Sequence, residues 1–251
     1  MQTGDLSRRG FVKQSALVAA AALPLPAAGD AAHNASLTVV CIGAHPDDPE
    51  SGCGGTLARY SALGHAVTIV YLTRGERGID GKSLDEAARI RTAESETACR
   101  IIGAKPVFFG QIDGATEFTR AHVEAMSRLL ADEHPDILFT HWPVDTHMDH
   151  QVASMLTIRA WMRRGAGSLY FFEVDTGDQT EGFFPNTYVD VSAVMEKKKS
   201  ALFAHVSQDG QAIWREHHEI MAQWRGREVA VPAAEAFVHL NRDQSSSLPG
   251  L

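Results

Sequence analysis

The chain has 251 residues, 44% of them apolar, which is enough to bury one sizeable core but too little for two full-size domains. Acidic residues outnumber basic residues by 31 to 23, and no basic stripe lies beyond the first few residues. This charge distribution argues against a nucleic acid as the partner.

The first 35 residues differ in composition from the rest. Arg8, Arg9 and Lys13 precede an alanine-rich apolar run over residues 16–25, and small residues follow it. This order is typical of an export signal, and the paired arginines indicate the twin-arginine route. The apolar run is too short and too rich in alanine for a stable membrane span. We therefore predict a twin-arginine signal peptide over residues 1–35, a single domain over residues 36–251, and a periplasmic or secreted location.

The apolar run over residues 37–43 is the first element of that domain. It has no polar alternation, which is typical of a strand buried on both faces in a parallel sheet. The segment His45-Pro46-Asp47-Asp48-Pro49 follows directly. Because each proline disfavours helix in the residue before it, we predict a loop here and a helix only from residue 54 to 63. Loops at the carboxyl ends of parallel strands are where ligands bind in open sheets.

The rest of the chain alternates between strand and helix patterns. The predicted strands cover residues 67–72, 107–109, 136–140 and 168–172, with another beginning at Tyr188. The predicted helices cover residues 84–102, 119–133, 151–162, 192–204 and 213–224. Alternation of this kind implies right-handed crossovers. The sequence therefore predicts an α/β fold, a Rossmann-like three-layer sandwich with a mostly parallel central sheet.

A second polar cluster follows the fourth predicted strand. It consists of His141, Asp145, His147, Asp149 and His150. Loops after parallel strands share one rim of the sheet, so this cluster is expected near His45. Two histidines and one carboxylate would hold a metal and leave coordination positions open, which favours catalysis over a structural site. The same ligand types also suit Fe(II), so spacing alone does not name the metal.

Four motifs together resemble the LmbE-like (PIG-L) deacetylase family. They are His45-Pro46-Asp47-Asp48, Thr73-Arg74-Gly75-Glu76, Arg91-x-x-Glu94-x-x-x-Ala98 and His147-x-Asp149-His150. The resemblance extends from about Val39 to Phe237. One departure is Pro49, where many members have glutamate; Glu50 stands one place later.

The resemblance implies a role for each motif residue. Zinc, with Fe²⁺ as the alternative, would be held by His45, Asp48 and His150. Asp47 would be the general base and His147 the electrostatic or acid partner. Four further residues would line the substrate pocket: Arg74, Glu76, Arg91 and Asp113. Asp149 either orients a histidine ring or caps the next helix.

The expected activity is hydrolysis of a linear amide, with removal of an acetyl or other acyl group from an N-acetylated amino sugar, a glycoconjugate or a similar small amide. The competing hypothesis is a periplasmic module that binds a sugar or metal without catalysis. Asp47 discriminates between them, because metal ligation does not need this second carboxylate. The sequence indicates neither the particular amide nor the oligomeric state.

Overall fold

The computed structural model describes residues 36–240, in which a seven-stranded sheet is flanked by helices. The predicted signal peptide and the end of the predicted domain, residues 241–251, lie outside the described residues. Within residues 36–240 no helix is both long and apolar enough to cross a membrane.

The elements follow one another in a strand–helix alternation as far as the fifth strand. The strands are β1 Thr38–Gly43, β2 Ala66–Tyr71, β3 Lys105–Phe108, β4 Ile137–His141, β5 Ser168–Phe172, β6 Thr187–Asp190 and β7 Ala234–Leu240. The α-helices are α1 Asp48–Ala62, α2 Leu84–Ile102, α3 Arg120–Glu133, α4 Met148–Arg164, α5 Met195–Phe203, α6 Gly210–Ile213 and α7 Glu219–Glu228. Short 3₁₀-helices cover Ser192–Val194 and Val206–Gln208, and a π-helix covers Trp214–His218.

The sheet has the order β3-β2-β1-β4-β5-β7-β6. Strands β1 to β5 are parallel, whereas β7 is antiparallel to both β5 and β6. The predicted mostly parallel sandwich is therefore confirmed. Strand β7 was not predicted, because its polar residues Glu235 and His239 interrupt the apolar run.

The core lies on both faces of the sheet. Val39 and Cys41 of β1 face one apolar cluster, which includes Leu57 of α1, and Val40 and Ile42 face the other. Successive strand residues point to opposite faces, so this division is what a strand buried on both sides requires. The prediction of a doubly buried first strand is correct.

Helix α1 begins earlier than predicted. Asp48 and Pro49 already belong to its first turn, although the proline pattern predicted a loop as far as residue 53. The prediction was wrong because proline is well tolerated in the first turn, where its missing N–H would have no helical partner. The helix is kinked at Cys53, whose φ of −145° and ψ of 16° are not helical.

A buried ion pair supports α1 beyond this kink. The Glu235 carboxylate on β7 accepts the backbone N–H groups of Gly55 at 2.8 Å and Thr56 at 2.7 Å. Its Oε1 also accepts a hydrogen bond from Nζ of Lys198 at 2.6 Å. The carboxylate thus satisfies donors that the kink frees at the start of a new helical segment. Lys198 neutralises its charge.

Replacing Lys198 by alanine is expected to lower the free energy of unfolding by about 3–5 kcal/mol, because it leaves the Glu235 charge buried and unpaired. Lys105→Ala is the matched control, since Lys105 pairs with Glu133 from a side chain that is 63% exposed. That change is expected to cost at most about 1 kcal/mol. Urea unfolding followed by circular dichroism measures both. Equal losses in the two variants would contradict the role of the buried pair.

Candidate active site and metal centre

The polar clusters after β1 and β4 meet at one cavity. β1 lies between β2 and β4, so the chain leaves β1 on one side toward β2 and reaches β4 only after crossing back. A crevice forms where the strand order reverses in this way, outside the carboxyl ends of the strands. A cavity of about 510 Å³ lies here, and both clusters contribute to its wall.

Asp48 connects the two clusters. Its Oδ2 lies 3.2 Å from Nδ1 of His45, and its Oδ1 lies 3.4 Å from Nε2 of His150. The Asp48 carboxylate is buried, and so are both rings. Burial on its own would raise the pKa of Asp48, but His150 and His141 outweigh it and hold the pKa well below its usual value. The structure therefore places Asp48 in contact with both of the histidines predicted to bind the metal with it.

Asp145 fixes the tautomer of His150. Its Oδ1 accepts a hydrogen bond from Nδ1 of His150 at 3.0 Å and another from the backbone N–H of His147 at 2.8 Å. Because Asp145 holds Nδ1, Nε2 is the nitrogen of the His150 ring that faces Asp48. Carboxylates orient metal-binding histidines through the second ring nitrogen in this manner. The sequence predicted such a role for Asp149, whereas for His150 it belongs to Asp145.

His147 is the N-cap of α4. Its Nδ1 accepts the backbone N–H of Asp149 at 3.2 Å, so in the neutral ring the proton lies on Nε2. Burial and the nearby His45 and His150 lower the pKa of His147, which favours this neutral form. His147 lines the cavity. Nε2 is therefore the ring nitrogen that can still donate a hydrogen bond.

His45 has a carboxylate at each ring nitrogen. Nε2 lies 3.1 Å from Oδ2 of Asp149 and 3.3 Å from Oδ1 of Asp113, while Nδ1 faces Asp48. Burial lowers the pKa of His45, but the hydrogen bonds to Asp113, Asp149 and Asp48 outweigh it and hold the pKa well above its usual value. The surroundings of this ring thus favour positive charge.

These donors fit a divalent cation. Nε2 of His150 and Oδ1 of Asp48 lie 3.4 Å apart. Burial lowers the pKa of His150, but Asp48 and Asp145 outweigh it and raise the pKa to about 9, so the site favours a positive charge between these two groups, either a proton or a metal ion. Two ligands about 2.0–2.1 Å from a tetrahedral zinc ion lie about 3.3–3.4 Å apart, which matches this contact. Nitrogen and carboxylate donors also suit other divalent metals.

Three groups within residues 36–240 offer ligand atoms that all lie within 4.8 Å of one another. They are His45 with His147 and His150; His45 with Asp113, His147 and Asp149; and Asp48 with His141 and His150. The predicted set of His45, Asp48 and His150 is not itself one of them, although Asp48 contacts both histidines. The buried donors therefore form one continuous cluster in which these groups overlap.

His141, the last residue of β4, was not predicted as a site residue. It is fully buried, and its Nε2 accepts the backbone N–H of Ala44 at 3.0 Å. Burial and His150 lower its pKa to about 4, so the ring is neutral. The same Nε2 lies 3.3 Å from Oδ2 of Asp48, so His141 holds the loop after β1 and also belongs to the group of Asp48, His141 and His150 that could hold a metal. The sequence hinted at it only through its place at the start of the second cluster.

Asp47 has a strained backbone. Its φ of 99° is unfavourable for any residue with a Cβ, and such strain costs about 1–3 kcal/mol and concentrates at functional sites. Nη2 of Arg91 donates to the Pro46 carbonyl at 2.6 Å and to Oδ2 of Asp47 at 3.1 Å. Burial raises the pKa of Asp47 despite the opposing effect of Arg91. The carboxylate also lines the cavity.

The four predicted pocket residues divide into two pairs. Arg91 and Asp113 line the cavity. Glu76 does not: its carboxylate is buried and accepts the backbone N–H groups of Arg74 and Asp113, which makes it a brace for these loops. Arg74 is exposed and lies over the Phe108 ring, 5.6 Å from its centroid. Arg77, which was not predicted, does line the cavity.

Glu50 lies in the core and does not line the cavity. It is fully buried, Tyr71 donates to its Oε1 from the hydroxyl at 2.5 Å, and Nε2 of His205 lies 3.3 Å from the same atom. The pKa of His205 is raised, because Glu50 and Asp47 outweigh the effect of burial. The shifted glutamate of the first motif therefore joins α1 to β2 and to the segment after α5.

An α/β sheet with a buried cluster of histidines and carboxylates at its strand-order reversal defines a metal-dependent hydrolase type of site. The family model described as PIG-L: GlcNAc-PI de-N-acetylase matches residues 40–161. A diacetylchitobiose deacetylase of Thermococcus kodakarensis is 33% identical over 193 residues, covering 70% of this chain and 72% of that protein. The chain belongs to the PIG-L family, and it is a hydrolytic deacetylase of that family.

Two further comparisons describe the range of the family. The N,N'-diacetylchitobiose deacetylase structure from Pyrococcus horikoshii superimposes with a TM-score of 0.71 at 27% identity, covering 80% of this chain and 83% of that one. A 4-oxalmesaconate hydratase of Pseudomonas putida is 25% identical, covering 83% of this chain and 88% of that protein. Similar chains are thus described both as deacetylases and as a hydratase.

Replacing Asp145 by asparagine is expected to weaken metal binding by about 10- to 100-fold, because the amide no longer holds the Nδ1 proton of His150 as a carboxylate does. Zn²⁺ titration against a chelating dye measures the affinity. Asp132→Asn is the control, since Asp132 is exposed on α3. Unchanged Zn²⁺ affinity in the Asp145 variant would show that this carboxylate does not support the site.

Replacing Gly75 by alanine is expected to displace Arg91. A Cβ at this position would lie 2.2 Å from Nη1 of Arg91, and the residue has a φ of 65°. Gly81→Ala is the control, because Gly81 has a φ of 74° but no neighbour within 4 Å. Both variants carry similar backbone strain, so we expect kcat/KM to fall by about 100-fold only in the Gly75 variant. Equal kcat/KM values in the two variants would show that the position of Arg91 does not affect the reaction.

Proposed function

We propose that the chain removes the acetyl group from an N-acetylated amino sugar, with zinc held by His45, Asp48 and His150. The observation that carries the proposal is the pair of contacts from Asp48 to both histidines, next to a carboxylate, Asp47, that those contacts do not use. A spare base beside a metal site is what hydrolysis needs and what binding alone does not.

The metal, when bound, polarises the amide carbonyl and lowers the pKa of water at the site. The chain's own residues supply the proton transfers. The Asp47 carboxylate takes a proton from the attacking water, and its raised pKa suits an acid that must later release that proton to the leaving amine. Arg91 holds Asp47 in place through the carboxylate and through the preceding carbonyl.

His147 stabilises the charge that develops on the carbonyl oxygen. Its Nδ1 is used by the N-cap hydrogen bond, so Nε2–H is the donor that the ring can offer to a substrate in the cavity that it lines. Such a donor is fixed before the reaction and needs no reorganisation when the oxyanion forms. A neutral histidine suffices for this role. The structure thus supports an electrostatic function for His147 without requiring its protonation.

The proposed substrate class is supported by the comparisons. Relatives similar to this chain are named for deacetylation of diacetylchitobiose and of a 2-acetamido-2-deoxyglucopyranoside of myo-inositol. The cavity of about 510 Å³ lies within the range of about 300–1,000 Å³ for small-molecule sites. Both relatives act on an acetylated amino sugar joined to a second polyol ring.

Replacing Asp47 by asparagine is expected to lower kcat by at least about 100-fold while the bound metal is retained. His150→Ala is expected to lose the metal, because it removes a ligand. Release of free amine from N,N'-diacetylchitobiose measures turnover, and plasma emission analysis measures metal content. Full activity of the Asp47 variant would show that Asp47 is not the general base. Retention of metal by the His150 variant would show that His150 is not a metal ligand.

The same assay separates the alternatives. A binding module would bind the sugar and release no amine from any amide. A hydratase, as in the Pseudomonas putida relative, would add water to a carbon–carbon double bond and leave amides intact. Amine release that depends on both metal and Asp47 distinguishes the deacetylase from each of these.

We further propose that the protein is exported by the twin-arginine route. Arg8, Arg9 and the alanine-rich run after them support this proposal. Replacing both arginines by lysine is expected to keep the protein in the cytoplasm, because the twin-arginine route reads this pair. Cell fractionation measures the distribution, and equal export of the variant would contradict the proposed route.

A further inference from the structure

Arg91 holds the proposed base, and its guanidinium lies against a turn that begins and ends with glycine. A Cβ at Gly75 or at Gly78 would overlap Nη1 of Arg91, so the turn backbone packs directly on the guanidinium. The backbone N–H of Gly78 donates to the Gly75 carbonyl at 3.1 Å and closes the turn. The position of Arg91 therefore depends on where this turn is held.

The middle of the turn is held by the loop after β3. The backbone N–H of Arg77 donates to Oδ2 of Asp113 at 3.0 Å, and Nε of Arg77 donates to the Asp113 carbonyl at 2.7 Å. The Glu76 carboxylate in turn accepts the backbone N–H of Asp113 at 3.0 Å. These contacts involve residues 76 and 77, and the last residue of the turn, Gly78, is held by a different part of the chain.

Gln208 is the residue that holds Gly78. Its Nε2 donates to the Gly78 carbonyl at 2.8 Å, although 130 positions separate the two residues in the sequence. Gln208 is half-buried and lines the cavity. It lies outside the segment that matches the family model, which ends at residue 161. A chain of contacts therefore extends from Gln208 through Gly78 and Arg91 to Asp47.

The amide of Gln208 has protein acceptors for both of its N–H groups. Besides the Gly78 carbonyl, Nε2 donates to Oγ of Ser207 at 3.3 Å. A glutamine amide carries two N–H donors, so neither is left over for a substrate. This arrangement favours a role for Gln208 in placing the protein's own groups.

Ser207 fixes the backbone next to Gln208. Its backbone N–H and its hydroxyl both donate to the Glu94 carboxylate at 2.7 Å. Glu94 stands three residues after Arg91 on α2, so the two side chains lie on the same face of the helix. Gln208 is therefore attached to the helix that carries Arg91 as well as to the turn that packs on it.

His205 attaches the same segment to α1. Its ring is fully buried, and Nε2 lies 3.3 Å from Oε1 of Glu50. Glu50 belongs to the first turn of α1, three residues after Asp47. Burial lowers the pKa of His205, but Glu50 and Asp47 outweigh it and raise the pKa. The ring is therefore close enough to Asp47 for their charges to interact.

We infer that Gln208 is a positioning residue for the reaction, because through the Gly78 carbonyl it keeps Arg91 where Arg91 can hold Asp47. This inference rests on the proposed deacetylase function, in which Asp47 is the general base. It adds a residue that acts through Arg91 and does not touch the reacting atoms. Such placement matters, since a displacement of about 1 Å can cost about 100-fold in rate.

Replacing Gln208 by methionine tests this role, because methionine has a similar length but no N–H donor. With the zinc-loaded full chain and N,N'-diacetylchitobiose, kcat is expected to fall by about 10-fold and KM to change by less than about 2-fold. Zn²⁺ affinity is expected to stay the same. Gln211→Met is the control, since Gln211 is exposed on α6. A rise in KM at unchanged kcat would show that Gln208 binds the substrate, and it would overturn the inference.

A double-mutant cycle tests whether Gln208 acts through Arg91. Arg91→Lys keeps the positive charge but lacks the planar group that packs on the turn. In the Arg91→Lys background, Gln208→Met is expected to lower kcat by less than about 2-fold, because both changes break the same chain of contacts and their effects do not add. A further fall as large as in the unaltered chain would show that the two residues act independently, which contradicts the inference.

A measurement without turnover keeps this test separate from the test of the reaction. In a ¹⁵N–¹H spectrum of the zinc-loaded full chain, the Nε–H signal of Arg91 is assigned by its loss in Arg91→Lys. Gln208→Met is expected to speed exchange of this proton with water by at least about 5-fold, and Gln211→Met is expected to leave it unchanged. If no amide is cleaved, the proposed function fails while the exchange rate still decides whether Gln208 holds Arg91. If amides are cleaved and Gln208→Met changes neither kcat nor the exchange rate, the inference fails alone.

Discussion

The pairing of β1 with β4 is the constraint on which the site depends. The chain builds β1, β2 and β3 outward in one direction and then returns to place β4 on the other side of β1. The loops after β1 and β4 therefore leave neighbouring strands at the same edge of the sheet. This brings Asp48 within 3.4 Å of His150, although about a hundred residues separate them. A different strand order would keep both motifs and lose the site.

Three of the buried histidines at this edge each have one ring nitrogen held by a defined partner. Asp145 holds Nδ1 of His150, the N-cap hydrogen bond occupies Nδ1 of His147, and Ala44 occupies Nε2 of His141. The geometry thus gives three chemically identical rings different surroundings within one cluster.

The two halves of the chain contribute differently. The segment as far as α4 carries the motifs and the proposed chemistry. The later segment stabilises the helices of the first one. Lys198 and Glu235 hold α1, and Ser207 donates to Glu94 of α2 from both its backbone N–H and its hydroxyl. The same later segment closes the outer part of the cavity. Division of this kind lets one reaction centre serve substrates whose remote parts differ.

The sequence by itself determined the fold class, most element positions and the identity of the chemical groups. Helix α2, for example, spans the predicted residues 84–102, because a capping serine and a C-terminal glycine mark its ends in the sequence. The sequence did not predict β7, because polar residues that find partners only in the tertiary structure interrupt its apolar pattern. It also did not predict the start of α1, because the proline there stands in the first turn, where a helix tolerates it.

Only the tertiary structure decided the role of each polar side chain. Glu76 and Glu50 are both acidic and both belong to motifs, yet one braces loops and the other lies in the core beside Tyr71. Gln208 belongs to none of the motifs, and its contact with Gly78 exists only in the folded chain. Local sequence fixes what a group can do, whereas its protonation and its partners depend on residues distant in the chain, which only folding brings within a few ångströms.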